Sequence, residues 1–278
     1  MLPPVLYHYT TQSGLLGILN DDAIWATKIH FLNDSSEYNL ALNLANDLLQ
    51  RLLIAEKNSK QREKIQTLSN NLAIIERMNV CVCSFSTNGD LLSQWRAYAG
   101  SIAGFSVGFH TKALLEKSEE QEFFLAPCIY DGKEHEYRIE QVIKESLAEE
   151  FNTIESGPHP TEPDTLVARW TGGNFAMKFS KLAAVLKNDA FKEECEWRLI
   201  SNFGVHVTTM NFRTSPSTLI PYVPFRLGSS KTNYLKEIIV GPTVHARQAV
   251  EATRMLLGSS DTARFVTASS SDIPYRAR

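Results

Sequence analysis

No stretch of about 18 consecutive apolar residues occurs in the chain, so nothing in it reads as a membrane-spanning helix. A Gly-x-Gly-x-x-Gly turn is also missing, which removes the simplest signature of a Rossmann dinucleotide site. Charge of one sign is scarce: 28 Lys plus Arg against 31 Asp plus Glu leave a formal −3. A protein that grips phosphate backbones along a basic face would carry a clear positive excess. Only four cysteines occur in 278 residues, and only Cys81 and Cys83 stand close together. No second Cys/Cys or Cys/His pair stands at zinc spacing, so no metal is expected and the thiols are read as buried, reduced hydrophobes. Met1-Leu2-Pro3-Pro4 leads into a strand-like run without a basic and then apolar leader, and the expectation is a cytoplasmic protein with no membrane partner.

What is present is ordinary globular composition, 43% hydrophobic and 21% charged, in a chain long enough to bury a substantial core. Short apolar runs predict strands over 5–9, 24–29, 80–86, 104–109, 123–130, 194–200, 205–210, 219–224, 236–240 and 263–267. Helical spacing predicts helices over 12–19, 61–78, 91–98, 134–151, 165–187 and 245–257. Another begins after Asp34-Ser35-Ser36-Glu37, a capping-box variant, and carries Leu40, Leu44, Leu48 and Leu52 as its expected buried stripe. Pro158, Pro160 and Pro163 mark a loop. The pattern predicts an α+β fold: a single mixed-sheet domain over 1–278, with helical insertions near 36–78 and 134–190.

Four clusters set polar or aromatic residues among apolar strands. Tyr7-His8-Tyr9-Thr10 ends the first strand, where a histidine beside a threonine hydroxyl could hold a ribose or be satisfied by a backbone carbonyl. In Phe31-Leu32-Asn33-Asp34-Ser35-Ser36-Glu37, Asn33 or Asp34 caps a helix and Glu37 complements its dipole, unless these side chains enter a cleft beside His8. Ser84 and Ser86 share one strand face, and Trp95 and Tyr98 are helical neighbours that could wall a flat ring or simply fill the core. Last, Glu194 and Glu196 are expected to project from one strand face about 7 Å apart. Their mutual repulsion would raise the pKa of one of them unless a cation such as Arg198 relieves it.

These motifs in this order resemble an uncharacterised bacterial family, a domain of unknown function; Gly104-Phe105-Ser106-Val107-Gly108-Phe109 and Glu194-Cys195-Glu196-Trp197-Arg198 continue the match. Strand–His-Tyr-Thr–helix, a middle Ser-x-Ser and a late Glu-x-Glu further resemble the ADP-ribosyltransferase superfamily. That resemblance implies a split-sheet fold and an NAD-dependent ADP-ribosyltransferase or NAD glycohydrolase, which cleaves the nicotinamide–ribose bond without a metal. The resemblance makes Glu196 the catalytic carboxylate and Glu194 its accessory, with His8, Tyr9, Thr10, Asn33, Ser84, Ser86, Trp95 and Tyr98 holding NAD. Two departures stand out: the His of one branch is combined with the Ser-x-Ser and Glu-x-Glu of another, and Ser84-Phe85-Ser86 lacks the usual central Thr. A macromolecular acceptor, protein or nucleic acid, and an inhibitory partner or homo-oligomer are compatible with this reading, and a toxin or anti-phage role is an analogy. Two alternatives stay open. One is a nucleic-acid-directed nuclease or glycosidase using Arg169, Trp170, Lys178, Lys181 and Lys187; the other is a non-catalytic ligand-binding module.

Overall fold

β1 (Val5–Thr10) runs into α1 (Gln12–Asp21), capped by the Thr11 hydroxyl, which accepts from the Gly14 amide. The computed structural model describes residues 2–32, 35–98, 104–149, 173–202, 204–261 and 263–274. Then come β2 (Ala23–Lys28), the long helices α2 (Ser35–Ala55) and α3 (Ser59–Ile75), β3 (Cys81–Ser86), α4 (Leu92–Tyr98) and β4 (Phe105–His110). The middle of the chain supplies α5 (Thr111–Glu120), β5 (Phe123–Pro127), α6 (Gly132–Ala148) and α7 (Gly173–Ala183). A 3-10 turn, Asp189–Glu194, delivers the chain to β6 (Glu196–Ser201); β7 (Asn211–Thr214), β8 (Leu219–Arg226), α8 (Lys231–Tyr234), β9 (Leu235–Val240), α9 (Ala246–Gly258) and β10 (Thr267–Ser270) follow.

The strands form one open mixed sheet, antiparallel at every pairing except β10 on β9. β3 is its branching point. One edge of β3 is taken by β6 along Val82 to Ser86. Its other edge is shared: β2 pairs with Cys81 and Val82, whereas β1 pairs only at Ser86. Cys83, Ser84 and Phe85 have no strand on that side, so the sheet parts there into a β1-β4-β9-β10 wing and a β2-β8-β7 wing. An α+β architecture with a divided sheet is therefore present.

Alternation along the central strands feeds two buried layers. Leu6, Cys83, Phe85, Val107, Phe109, Leu199 and Phe225 belong to the first. Val82 and Ile200, next to Cys83 and Leu199 in sequence, turn the other way and meet Tyr38, Leu49, Leu68, Ile75, Phe175 and Phe179 of the helical layer.

Several expectations need correction. The buried stripe of α2 is Tyr38, Ala41, Leu42, Ala45 and Leu49; Leu44, Leu48 and Leu52 pack on its flank, because alanines let the helix approach its neighbours along the adjacent line. Val205 to Met210 is not a strand: His206 caps a 3-10 turn at Val207–Thr209, and pairing begins at Asn211. The last strand starts at Thr267, later than expected. α5 escaped the sequence reading because its N-cap, His110, makes no side-chain capping bond. Asp34 and residues 165–172 lie outside the described residues. No helix among the described residues is long and apolar enough to cross a membrane.

Trp95 shows how tightly α4 seats against the sheet. The ring is 1% exposed, and a Cβ on Gly241 would stand 2.8 Å from one of its carbons and 3.1 Å from the Gly104 carbonyl oxygen. Gly241→Ala is therefore expected to lower stability by about 1–3 kcal/mol through overpacking. Urea unfolding measures this, and an unchanged midpoint would show that the indole is free to move aside.

Candidate functional site

The unpaired stretch of β3 is closed by a side chain. His8 of β1 lies near Ser84, and its Nδ1–H donates to the Ser84 carbonyl oxygen at 2.9 Å. The ring also stands 3.6 Å from Cys83 Sγ and 5.8 Å from the centre of Phe85. Burial pulls its pKa down, the Ser84 bond opposes this, and the nearby Arg213 charge lowers it further. The imidazole is therefore neutral at pH 7, and with Nδ1 carrying the proton, Nε2 is an acceptor. His8 is thus satisfied by a backbone carbonyl, one of the two roles the sequence allowed, and its other nitrogen can receive a hydrogen bond from a hydroxyl.

β6 brings the carboxylates. Register places Glu196 opposite Ser86 and Arg198 opposite Ser84, on the face that meets the helices. The expected continuous strand through Glu194 does not form. Glu194 ends the 3-10 turn, Cys195 takes a left-handed conformation at φ 44°, and the strand starts at Glu196. That kink makes both carboxylates converge on Lys187, whose Nζ donates to Glu194 Oε2 at 2.8 Å and Glu196 Oε2 at 2.7 Å. Arg198 completes the cluster. Nε donates to Glu196 Oε1 at 2.8 Å, Nη2 to Glu37 Oε2 at 3.0 Å and Nη1 to the Ala184 carbonyl at 2.9 Å. Burial alone would raise the Glu196 pKa; Arg198 and then Lys187 overrule it and hold it at about 2. The raised carboxylate pKa expected from repulsion is thus not what Glu196 has. Glu37 stands in the first turn of α2, as expected of a carboxylate that complements the helix dipole, and in addition it is 4% exposed and bound to Arg198.

A cleft of about 40 Å³ opens where these parts meet. His8, Tyr9, Ser84, Tyr98, Glu194 and Glu196 line it, together with Tyr7, Phe85 and Gln94. Trp95 is no wall of it: its Nε1 donates to Asp90 Oδ1 at 2.6 Å and its ring meets Tyr9 edge-on. Ser86 does not reach it either, because its hydroxyl donates to the Glu194 carbonyl and accepts from the Asn88 amide. Thr10 packs against Gly14 of α1 instead, and Asn33 lies outside the described residues. Tyr9 contributes only its ring, since its hydroxyl donates to the Asn88 carbonyl and accepts from the Leu91 amide.

Sequence reasoning missed the ligating partners. Lys187 was counted as a surface base, yet it is 1% exposed; nothing local in the sequence marks it. Lys178 is tied to Glu145 and Glu149, and Arg169 and Trp170 lie outside the described residues. The four cysteines are free, but Cys195 is exposed, contrary to the expectation that all were buried. Among the described residues no group of three His, Cys, Asp or Glu is arranged for a metal ion. A larger hollow of about 350 Å³, lined by Glu122, Ser201, Asn202, Thr209 and Pro224 among others, lies apart from the motif residues.

Residues 94–199 match the family model described as "Protein of unknown function (DUF2971)", so a DUF2971 domain is found there; it takes in α4 through most of β6 and includes Tyr98, Glu194 and Glu196. No curated protein and no solved structure matches the chain.

The cluster makes stability depend on acid. With its folded-state pKa below the usual 4.5, Glu196 contributes stability that is complete above that value and is lost as pH falls towards about 2. The contribution is on the order of 3 kcal/mol. Glu196→Gln should therefore lower stability near neutral pH by about 3–5 kcal/mol and flatten the acid limb of the profile. Urea midpoints taken between neutral pH and about pH 3 test both; parallel profiles for the two proteins would remove Glu196 from the network.

Proposed function

We propose that this protein cleaves the nicotinamide–ribose bond of NAD, as an ADP-ribosyltransferase or NAD glycohydrolase. The observation that supports the reading is the meeting of His8, Ser84, Glu194 and Glu196 in one cleft at the parting of the sheet. Electrostatics favour such chemistry. Glu37, Glu194 and Glu196 face Lys187 and Arg198, so three carboxylates against two cations leave a formal charge of −1. A negative cluster favours a reactant that begins as a pyridinium and passes through an oxocarbenium-like state. The C1′–N bond breaks, nicotinamide leaves with the electron pair, and water or an acceptor nucleophile takes the sugar.

Roles are assigned differently from the simple motif carry-over. Glu196 is spent on Arg198 and Lys187 and acts as a positioning residue. Glu194, with 16% of its side chain exposed against 6% for Glu196, is the carboxylate that meets the sugar. His8 Nε2 accepts from a ribose hydroxyl, and the Tyr98 ring, 37% exposed, borders the leaving group. The cleft is far smaller than the ~300 Å³ or more of sites that enclose whole ligands, so most of the dinucleotide lies outside it, along the parted sheet.

The engagement of Glu196 by two cations also favours a second reading, a ligand-binding module without turnover. Incubation of the full chain with NAD labelled in the nicotinamide separates the two. Wild type is expected to release nicotinamide. Glu194→Gln should reduce the rate by about 100-fold or more, a typical loss for one electrostatic group, measured on protein shown to be folded because the variant also gives up the ion pair with buried Lys187. NAD bound but never cleaved would support the module, and neither binding nor release would sink both.

A further inference from the structure

The β2 side of the parted sheet carries a cation that the proposed chemistry does not use. Arg213 belongs to β7, the edge strand, and reaches across β8 so that its Nη2 donates to Thr27 Oγ1 of β2 at 3.2 Å. Thr27 is in register with Val82, so the guanidinium arrives beside the stretch of β3 that has no strand partner. Its charge is felt at His8 and at Cys83, where it opposes protonation of the imidazole and favours the thiolate. The Nε atom is buried and has no hydrogen-bond partner. Among the described residues no carboxylate forms an ion pair with Arg213, and the acidic groups that act on it are a tyrosine and a thiol. A half-buried guanidinium with an idle N–H and no counter-charge is expensive, and an anion relieves it.

The surroundings narrow the anion. Trp25, on β2 with Thr27, and Tyr222, the β8 residue in register with Thr27, stack with centroids 4.5 Å apart and planes at 28°, both half-buried. A planar guanidinium suits two oxygens of one phosphate, and a neighbouring aromatic platform suits a base. We infer that the β2 bank is a nucleotide-phosphate seat: Arg213 meets a phosphate or diphosphate through its terminal nitrogens, with the base against Trp25 and Tyr222. This deepens the NAD reading by giving the diphosphate a place opposite the carboxylates, and it rests on that reading only in taking the two ends to belong to one ligand.

Calorimetric titration of the full chain with ADP, pyrophosphate and adenosine tests the seat without requiring turnover. ADP and pyrophosphate are expected to bind, and adenosine to bind at least tenfold more weakly than ADP. R213Q should weaken ADP at least tenfold and leave adenosine unchanged, and R213K, which keeps the charge but not the fork, should fall between. Equal ADP affinity in wild type and either variant overturns the inference, as does a wild type that binds neither ADP nor pyrophosphate at millimolar concentration. R213K serves alone if R213Q does not fold. Loss of ADP binding in R213Q with no nicotinamide release from wild type leaves the seat standing and the NAD reading refuted. Nicotinamide release combined with an ADP affinity indifferent to Arg213 gives the reverse.

Discussion

Arg198 is the interaction on which the arrangement turns. It rises from β6 and ties together Glu37 at the start of α2, the carbonyl of Ala184 just past α7, and Glu196 on its own strand. Apart from the Lys187–Glu196 pair in the same cluster, the helical layer and the sheet meet largely through apolar side chains, which slide more easily than they lock. A buried ion network adds little net stability against a hydrophobic substitute, because desolvation cancels most of the attraction. What it does add here is geometry, because every partner has one place to be. The same guanidinium that holds α2 and α7 against the sheet fixes the carboxylate beside the cleft, so fold and site share one anchor.

His8 plays the complementary part on the other edge of β3. A strand whose neighbours diverge leaves backbone groups with no ladder to join, and such groups need another partner. Ser84 finds it in the imidazole. That choice settles the tautomer, keeps the ring in the opening between the wings and leaves one nitrogen for an incoming hydroxyl. The structural bond through Nδ1 thus leaves Nε2 uncommitted, so the two accounts of this histidine do not compete.

Much of this was legible in the sequence where periodicity spoke. The central strands and the long helices fall close to where alternation and helical spacing placed them, and β1, β3 and β6 were picked out by polar residues set in apolar runs. Residues chosen for sharing a face did so where the strand was regular, as with Ser84, Ser86 and Arg198. Legibility failed where contacts join distant parts of the chain. Nothing near Lys187 announces a buried lysine, and Glu37 looked like an ordinary first-turn acid. Trp95 was misjudged because an aromatic at a cleft and an aromatic in the core have the same local pattern; only Asp90 and Gly241 decide between them. Arg213 lies in a four-residue edge strand too short and too exposed to carry a periodic signal.

The left-handed turn at Cys195 has a practical side. It breaks the strand between the two carboxylates, and it also leaves that residue's thiol as the exposed one among four. The other three are buried, with pKa values pushed up first of all by burial, and so are poorly nucleophilic. A maleimide dye would therefore attach at one position, between Glu194 and Glu196, without any engineered cysteine. The native chain thus offers one labelling position beside two carboxylates that line the cleft, where a dye would report any change in their surroundings.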